Sequence, residues 1–376
     1  ERDLLDDMKP EPFRNGEWPT IESCFVFKRS GLQTKRDDFV YSISRNALQE
    51  RIAGFLSAPA NRAREIFHDS RDRKWGGARA VPFVAARMTQ IGYRPLDTRY
   101  LYNHPAYGDF LRPELQSVWG TNNVALYAMP SSTGAGAAVW CHGLLPDYHA
   151  FRGCYGGYAF PLRDNRPGHG PFNISPALLA GLAASYGAPA SAEDAFHAML
   201  ALMSATSYTL RFAEDLEDVF PHVPFPSDHA LFLAVAELGR EIRAVETFAR
   251  PPGPNFLTRA VARVETEPAE TLHASDWTDG EFFLCANRTG RVSGISLAIW
   301  SFSVSGYRLL PRWLAARQGL AVDLALISQI RDVVGRIAEL IDLFARADRL
   351  LIQSLPATLM KHALGLGANE TANNEQ

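Results

Sequence analysis

The sequence is poor in the features that usually announce a chemistry. Four cysteines in 376 residues, Cys24, Cys141, Cys154 and Cys285, are too few for a disulfide framework, and none forms a Cys-x-x-Cys pair, so a reducing compartment is expected. No window approaches the roughly 18 consecutive apolar residues of a membrane span. The opening Glu1-Arg2-Asp3-Leu4-Leu5-Asp6-Asp7 is no signal peptide, and its start without Met reads as a fragment of a soluble, cytoplasmic protein. The phosphate loop G-x-x-x-x-G-K-[ST] and the nucleophile elbow G-x-S-x-G are both missing. Gly134-Ala135-Gly136 lacks the third glycine of a dinucleotide fingerprint, since position 139 is Val. Asn165-Arg166-Pro167 is not the Asn-Pro-Pro of an amino-methyltransferase. Cys141-His142, His149 and Cys154 fit no zinc spacing and read as buried cysteine beside turn histidines.

The composition is globular, 47% hydrophobic and 11% aromatic, with room for two or three domains and no disorder except at the ends. A net charge of −3 hides a strong asymmetry. From Lys28 to Arg99 there are 15 Lys or Arg against 7 Asp or Glu, whereas Ser191 to Gly280 has 6 against 15. A polyanion-binding face therefore fits despite the negative total. Only 5 of the 38 basic residues are lysine, a bias that suits planar recognition of phosphate and guanine but also follows from a G+C-rich genome.

Residues 21–27 and 39–43 read as strands, with a basic loop, Lys28 to Asp37, between them. Ser44 caps a helix from Arg45 to about Leu56, with Leu48, Ile52 and Phe55 on one face. Tyr93–Tyr102, 127–130, 137–141 and 158–162 read as strands. Helical stretches follow near 176–186, 191–214 and 227–249, interrupted by the extended connector Phe220–Pro226 and closed by Pro251-Pro252-Gly253-Pro254. Beyond lie strand-like segments near 257–265, 281–286, 291–293 and 297–304, then a long helix whose Ile327, Ile330, Val334, Ile337, Ile341 and Phe344 form one stripe.

Four basic loops carry the recognition chemistry. In 28–37, Gly31 allows a turn, Gln33 matches adenine N6 and N7, Lys28, Arg29, Lys35 and Arg36 surround it as phosphate contacts, and Thr34 is a further DNA-binding candidate. The same loop also reads as a solvated hairpin. In 93–102, Arg94 and Arg99 flank Asp97, which is placed to orient both, and Tyr100 and Tyr102 share a strand face; a structural ion pair is the alternative. Arg163, Asn165, Arg166 and His169 make a third loop, and Asn287, Arg288 and Arg291 a fourth.

A run of landmarks then resembles a known family. Gly31-Leu32-Gln33-Thr34-Lys35-Arg36-Asp37, Tyr93 to Tyr100, Asn173-Ile174-Ser175-Pro176 and Ala192 to Phe196 come first. Phe220 to Pro226, Thr289-Gly290-Arg291-Val292, Gly306-Tyr307, Trp313-Leu314 and Arg317 follow, so the likeness covers roughly 20–350. Together they resemble the C-terminal target recognition (specificity) domain of Type ISP restriction-modification enzymes, relatives of Type IIG enzymes. The resemblance implies sequence-specific recognition of double-stranded DNA in a bacterial enzyme. It further implies that nuclease, translocase and adenine-N6 methyltransferase parts, with their S-adenosylmethionine, ATP and Mg²⁺, lie upstream, and that this chain has no catalytic or metal-binding residues of its own. Base-contacting residues vary between such enzymes and are not carried over. The expected fold is α+β: a linker over 1–20, an α/β recognition subdomain over 21–172, a helical spacer over 173–250, a second α/β subdomain with the long helix over 251–364, and a disordered tail over 365–376. The rival reading is a protein-interaction scaffold whose basic loops bind an acidic partner; a small-molecule hydrolase using Cys141–Cys154 is a third.

Overall fold

A computed structural model describes Phe13 and residues 16–151, 156–257, 261–263 and 270–366, with only the backbone described at 257 and 261–263. The expected N-terminal linker already contributes to the core: Phe13 and Trp18 are buried, and the Phe13 ring stacks on Phe212 at 4.9 Å. The strand expected over 21–27 does not form. Glu22–Cys24 is a 3-10 turn, and the Asn173 side chain takes both edges of Phe27, accepting from its N–H at 2.7 Å and donating to its carbonyl at 2.8 Å. A side chain thus replaces the partner strand.

Four elements follow in the basic loop and beyond it: β1 (Arg29–Ser30), a one-turn α1 (Asp37–Val40), β2 (Tyr41–Ser42) and α2 (Arg45–Ser57). The strand expected over 39–43 is half helix, because the Phe39 and Val40 N–H groups both return to the Arg36 carbonyl. Helix α2 starts as expected at Ser44, whose hydroxyl accepts from Ala47 N, and it buries Leu48, Ile52 and Phe55. Next come α3 (Ala60–Phe67), α4 (Trp75–Arg79), the hairpin β3 (Met88–Arg94) and β4 (Asp97–Tyr102), α5 (Pro113–Trp119), β5 (Ala125–Ala128), β6 (Val139–His142) and β7 (Tyr158–Pro161). They make two antiparallel sheets, ordered β2-β4-β3 and β1-β7-β5-β6. Loop 28–37 is therefore no hairpin, since β1 within it and β2 after it pair in different sheets.

The helical block holds α6 (Pro176–Tyr186), α7 (Ala192–Ser204), α8 (Thr206–Arg211) and α9 (His229–Glu246). Ser175, Ser191 and Asp228 cap α6, α7 and α9 by accepting from the N–H three residues on. The single helix expected over 191–214 breaks at Ala205. Asp348 accepts from Ser207 N at 2.8 Å and from the Thr206 and Ser207 hydroxyls, so a distant carboxylate caps a new helix there.

The chain ends with α10 (Pro254–Leu257), β8 (Val261–Arg263), β9 (Glu281–Phe283), β10 (Arg291–Ser293), α11 (Leu297–Ser301), β11 (Ser303–Val304), β12 (Tyr307–Arg308), α12 (Leu309–Ala315) and α13 (Leu324–Ser354). The strand expected over 297–304 begins instead as α11, because Ser296 accepts from Ile299 N and starts a helical turn. Two main cores result. A small one gathers Phe39, Ile52, Phe55, Phe67, Ile91 and Tyr107 under the β2-β4-β3 sheet. The large one joins β5–β7, α7, α9 and α13, so residues of all three expected parts share it. The α13 stripe lies within or against that core. Among the described residues no helix is long and apolar enough to cross a membrane. Cys24, Cys141 and Cys285 are buried and unpaired; Cys154 lies outside the described residues, as do positions 1–12 and 367–376.

Candidate functional site

The first two basic loops meet at a residue the sequence did not single out, Asp147. The segment Leu145–Tyr148 threads between Gly31-Leu32 and Gly92, with Leu32 N to Pro146 O at 2.9 Å on one side and Gly92 N to Leu145 O at 2.9 Å on the other. Gly31 serves this close approach and not the expected turn: a Cβ there would lie 2.6 Å from the Asp147 carbonyl group, and its φ is not left-handed. The Asp147 carboxylate, 1% exposed, accepts from Arg94 at 2.7 Å, from Tyr41 Oη at 3.1 Å and from His149 N at 2.9 Å. Burial pushes its pKa up to about 6 against the pull of Arg94.

From that anchor a ladder of planar groups runs along the hairpin. Arg94 and Arg99 both sit 3.9 Å from the Tyr93 ring centroid, and the Tyr93 hydroxyl donates to Asp37 at 3.3 Å. Asp97 orients Arg99 as expected, at 3.1 Å, but its second arginine is Arg317 at 2.8 Å and not Arg94. Arg317 stacks on Trp313 at 3.6 Å, and Trp313 Nε1 donates to Leu96 O at 3.1 Å. The hairpin turn is thereby fastened to α12, with Leu96 held at φ +55°.

Around this frame the expected contact residues divide. Arg29 and Lys35 are exposed; among the described residues Arg29 has only a 3.8 Å pair with Glu114, and the Lys35 ammonium and the Gln33 side-chain amide have no partner. The Gln33 backbone is fixed by a reciprocal pair with Phe110. Lys28 pairs with Glu22 over the rings of Tyr158 and Phe220. Three residues expected at DNA are inside the molecule. The Arg36 guanidinium, 1% exposed, is consumed by Asp109 at 2.9 Å and by the carbonyls of Thr34, His68, Arg73 and Tyr107. Thr34 is buried against Asp37, and Tyr102 is buried under Phe83 with its hydroxyl accepting from Val84 N.

The third loop borders the first: Arg166 lies 5.0 Å from the Phe27 ring and is held by Asp164, while Arg163 pairs with Glu193 at 2.8 Å. Asn165 is structural here, donating to the carbonyls of Val118 and Trp119. The fourth loop is not brought to the others. Asn287 bonds Glu270, Arg288 lies over Phe283, and Arg291 pairs with Glu281 at 3.4 Å. Among the described residues no group of His, Cys, Asp and Glu could hold a metal ion. His142, expected as a turn histidine beside buried Cys141, ends strand β6 instead; it is buried and pushed down to about 3 by burial and then by Arg94.

A family model described as the Type ISP C-terminal specificity domain matches residues 23–340. No curated protein matches the chain. Among solved structures the chain is similar to a nuclease-deletion mutant of the Type ISP restriction-modification enzyme LlaGI in complex with a DNA substrate mimic, at 14% identity and a TM-score of 0.62, covering 93% of this chain and 29% of that one. It is similar to the DrdV–DNA complex at 17% identity and TM-score 0.68, over 92% of this chain and 38% of that one. It is similar as well to the ATP-dependent Type ISP restriction-modification enzyme LlaBIII bound to DNA, at 15% identity and TM-score 0.65, over 92% and 24%. At these identities the likeness is one of fold, and the chain spans well under half of each enzyme.

Proposed function

Since the chain belongs to the Type ISP C-terminal specificity domain family, we propose that it reads the sequence of double-stranded DNA for a single-chain restriction-modification enzyme. The family match over 23–340 carries this reading, and the exposed basic residues beside the junction of loop 28–37 with the 93–99 hairpin support a contact there. Lys35 and Arg29 supply phosphate contacts, Gln33 supplies the amide that matches an adenine edge, and the Asp147–Arg94–Tyr93–Arg99 ladder holds them in register. S-adenosylmethionine, ATP and Mg²⁺, together with methylation and cleavage, belong to other parts of the same polypeptide. The methyltransferase part and the DNA duplex are the chain's partners.

Fluorescence anisotropy of labelled duplexes across a salt series tests the reading. The parent should bind with an affinity that falls linearly on log–log axes, and Lys35→Ala should flatten the slope by about one unit at unchanged melting temperature. With labelled S-adenosylmethionine and duplex, the chain alone should transfer no label. An affinity indifferent to salt, or robust transfer of label, would overturn the reading.

A further inference from the structure

A second basic face lies on the same small core, beside loop 28–37, whose Arg36 reaches the Asp109 carboxylate and the Arg73 carbonyl. Residues 71–87 hold Arg71, Arg73, Lys74, Arg79 and Arg87 against one carboxylate, Asp72, and Arg71 takes that carboxylate through two hydrogen bonds. At the edge of this segment is a cavity of about 240 Å³ lined by Arg73, Arg87, Asn103, Asp109 and Gln116. Its only acid is already spent: Asp109 accepts from Arg36 and from the Ser70 hydroxyl, both at 2.9 Å, and its side chain is 3% exposed.

The two arginines are free to act on something else. Arg73 is held by the carbonyls of Asp72, Pro105 and Gly108, which fix the guanidinium without neutralising it. Arg87 is exposed, and among the described residues its side chain has neither ion pair nor hydrogen bond. Asn103 and Gln116 bond each other at 2.8 Å, so the amides on the wall are already ordered. Two uncompensated guanidinium groups on one cavity, one of them pre-positioned, favour a compact oxyanion.

We infer that this cavity is an oxyanion site and that its occupant is a backbone phosphate of the bound duplex, gripped next to loop 28–37 by side chains outside that loop. The inference rests on the DNA-reading role proposed above. A contact of this kind carries no sequence information, and it fixes where the recognition loops sit along the duplex.

The test compares the parent chain with Arg87→Gln, which removes an exposed charge, and with Arg73→Lys, which keeps the charge and loses the fork. Arg87→Gln should bind every duplex about tenfold more weakly at low salt, equally for unrelated sequences. Its salt slope should be shallower by about one unit, with an unchanged melting temperature. Arg73→Lys should weaken binding in the same uniform way but keep the slope. Inorganic phosphate, at constant ionic strength, should neither displace the duplex nor raise the melting temperature. An Arg87→Gln variant with parental affinity and slope overturns the inference. A phosphate-induced rise in melting temperature that Arg87→Gln abolishes, with the duplex slope intact, assigns the cavity to a free phosphate and overturns its link to DNA. A parent that ignores duplex at every salt concentration overturns the DNA-reading role itself, which the variants' parental behaviour alone would leave standing.

Discussion

Removing the buried Asp147 carboxylate leaves the Arg94 guanidinium and the Tyr41 hydroxyl without their shared acceptor. Asp147→Ala should cost about 3 kcal/mol, as expected when one partner of a buried pair is lost, measured by urea unfolding. The neighbours Lys35 and Arg36 should separate cleanly in the same assay. Arg36→Ala strips five internal acceptors of their donor and should unfold the small core, whereas Lys35→Ala should leave stability unchanged. A stable Arg36→Ala variant would contradict the structural role of that residue. Adjacent residues of like charge look the same in a sequence. Their fates are set by His68, Arg73, Tyr107 and Asp109, tens of positions away, so no local pattern in 28–37 distinguishes them. Asp147 was hidden for the same reason: nothing near it in sequence shows that Gly31 leaves room for its backbone or that its N–H bonds the Gly92 carbonyl.

At the scale of elements, local signals were readable wherever a helix carried its own cap. Ser44, Ser175 and Ser191 open α2, α6 and α7 as their sequences suggest, and the stripe on α13 packs as its spacing requires. The failures lie where a remote group decides: Asn173 standing in for a strand beside Phe27, and Asp348 starting α8 inside an apparently continuous helix. Helix α9 passes close over α7 at Gly239. A Cβ on Gly239 would lie 1.9 Å from the His197 carbonyl oxygen, so Gly239→Ala should cost about 1–3 kcal/mol through forced separation of the pair, despite alanine's higher helix propensity. Ile337 is fully buried on α13, and Ile337→Asp should unfold the large core, whereas Ile337→Val should cost only about 1 kcal/mol. A folded Ile337→Asp chain that had merely changed its oligomeric state by sedimentation would contradict this packing.

For the whole molecule, buried titratable groups predict the response to acid. Burial holds His142 down to about 3, and His197 and His222 down to about 4, so the folded chain keeps them neutral where the unfolded chain would protonate them. Burial acts the other way on Asp147, at about 6, and on Glu246, raised well above its usual value. As pH falls below about 6.5, the three imidazoles destabilise the fold, while the two carboxyls, which take up protons in the folded chain at higher pH than in the unfolded one, oppose them. Three imidazoles against two carboxyls leave the unfolded chain with the larger proton uptake over this range, so stability falls as pH falls. The thermal midpoint should therefore fall between pH 6.5 and 5; a midpoint rising over that interval would mean the histidines are charged in the folded protein.

The large-scale charge asymmetry was plain in the sequence, and the family likeness was legible from the order of its landmarks. The meeting of loops 28–37 and 93–99, and the separation of the 287–291 loop from them, depended on long-range pairing that composition does not encode. The central claim, that this surface reads a sequence, is tested most directly by selecting bound molecules from a pool of randomised duplexes near physiological salt and sequencing the survivors. The account predicts one recurring short site, and it predicts that Gln33→Ala loses about 1–3 kcal/mol on that site and almost nothing on a scrambled one. A pool that is retained but stays random after repeated rounds would contradict it.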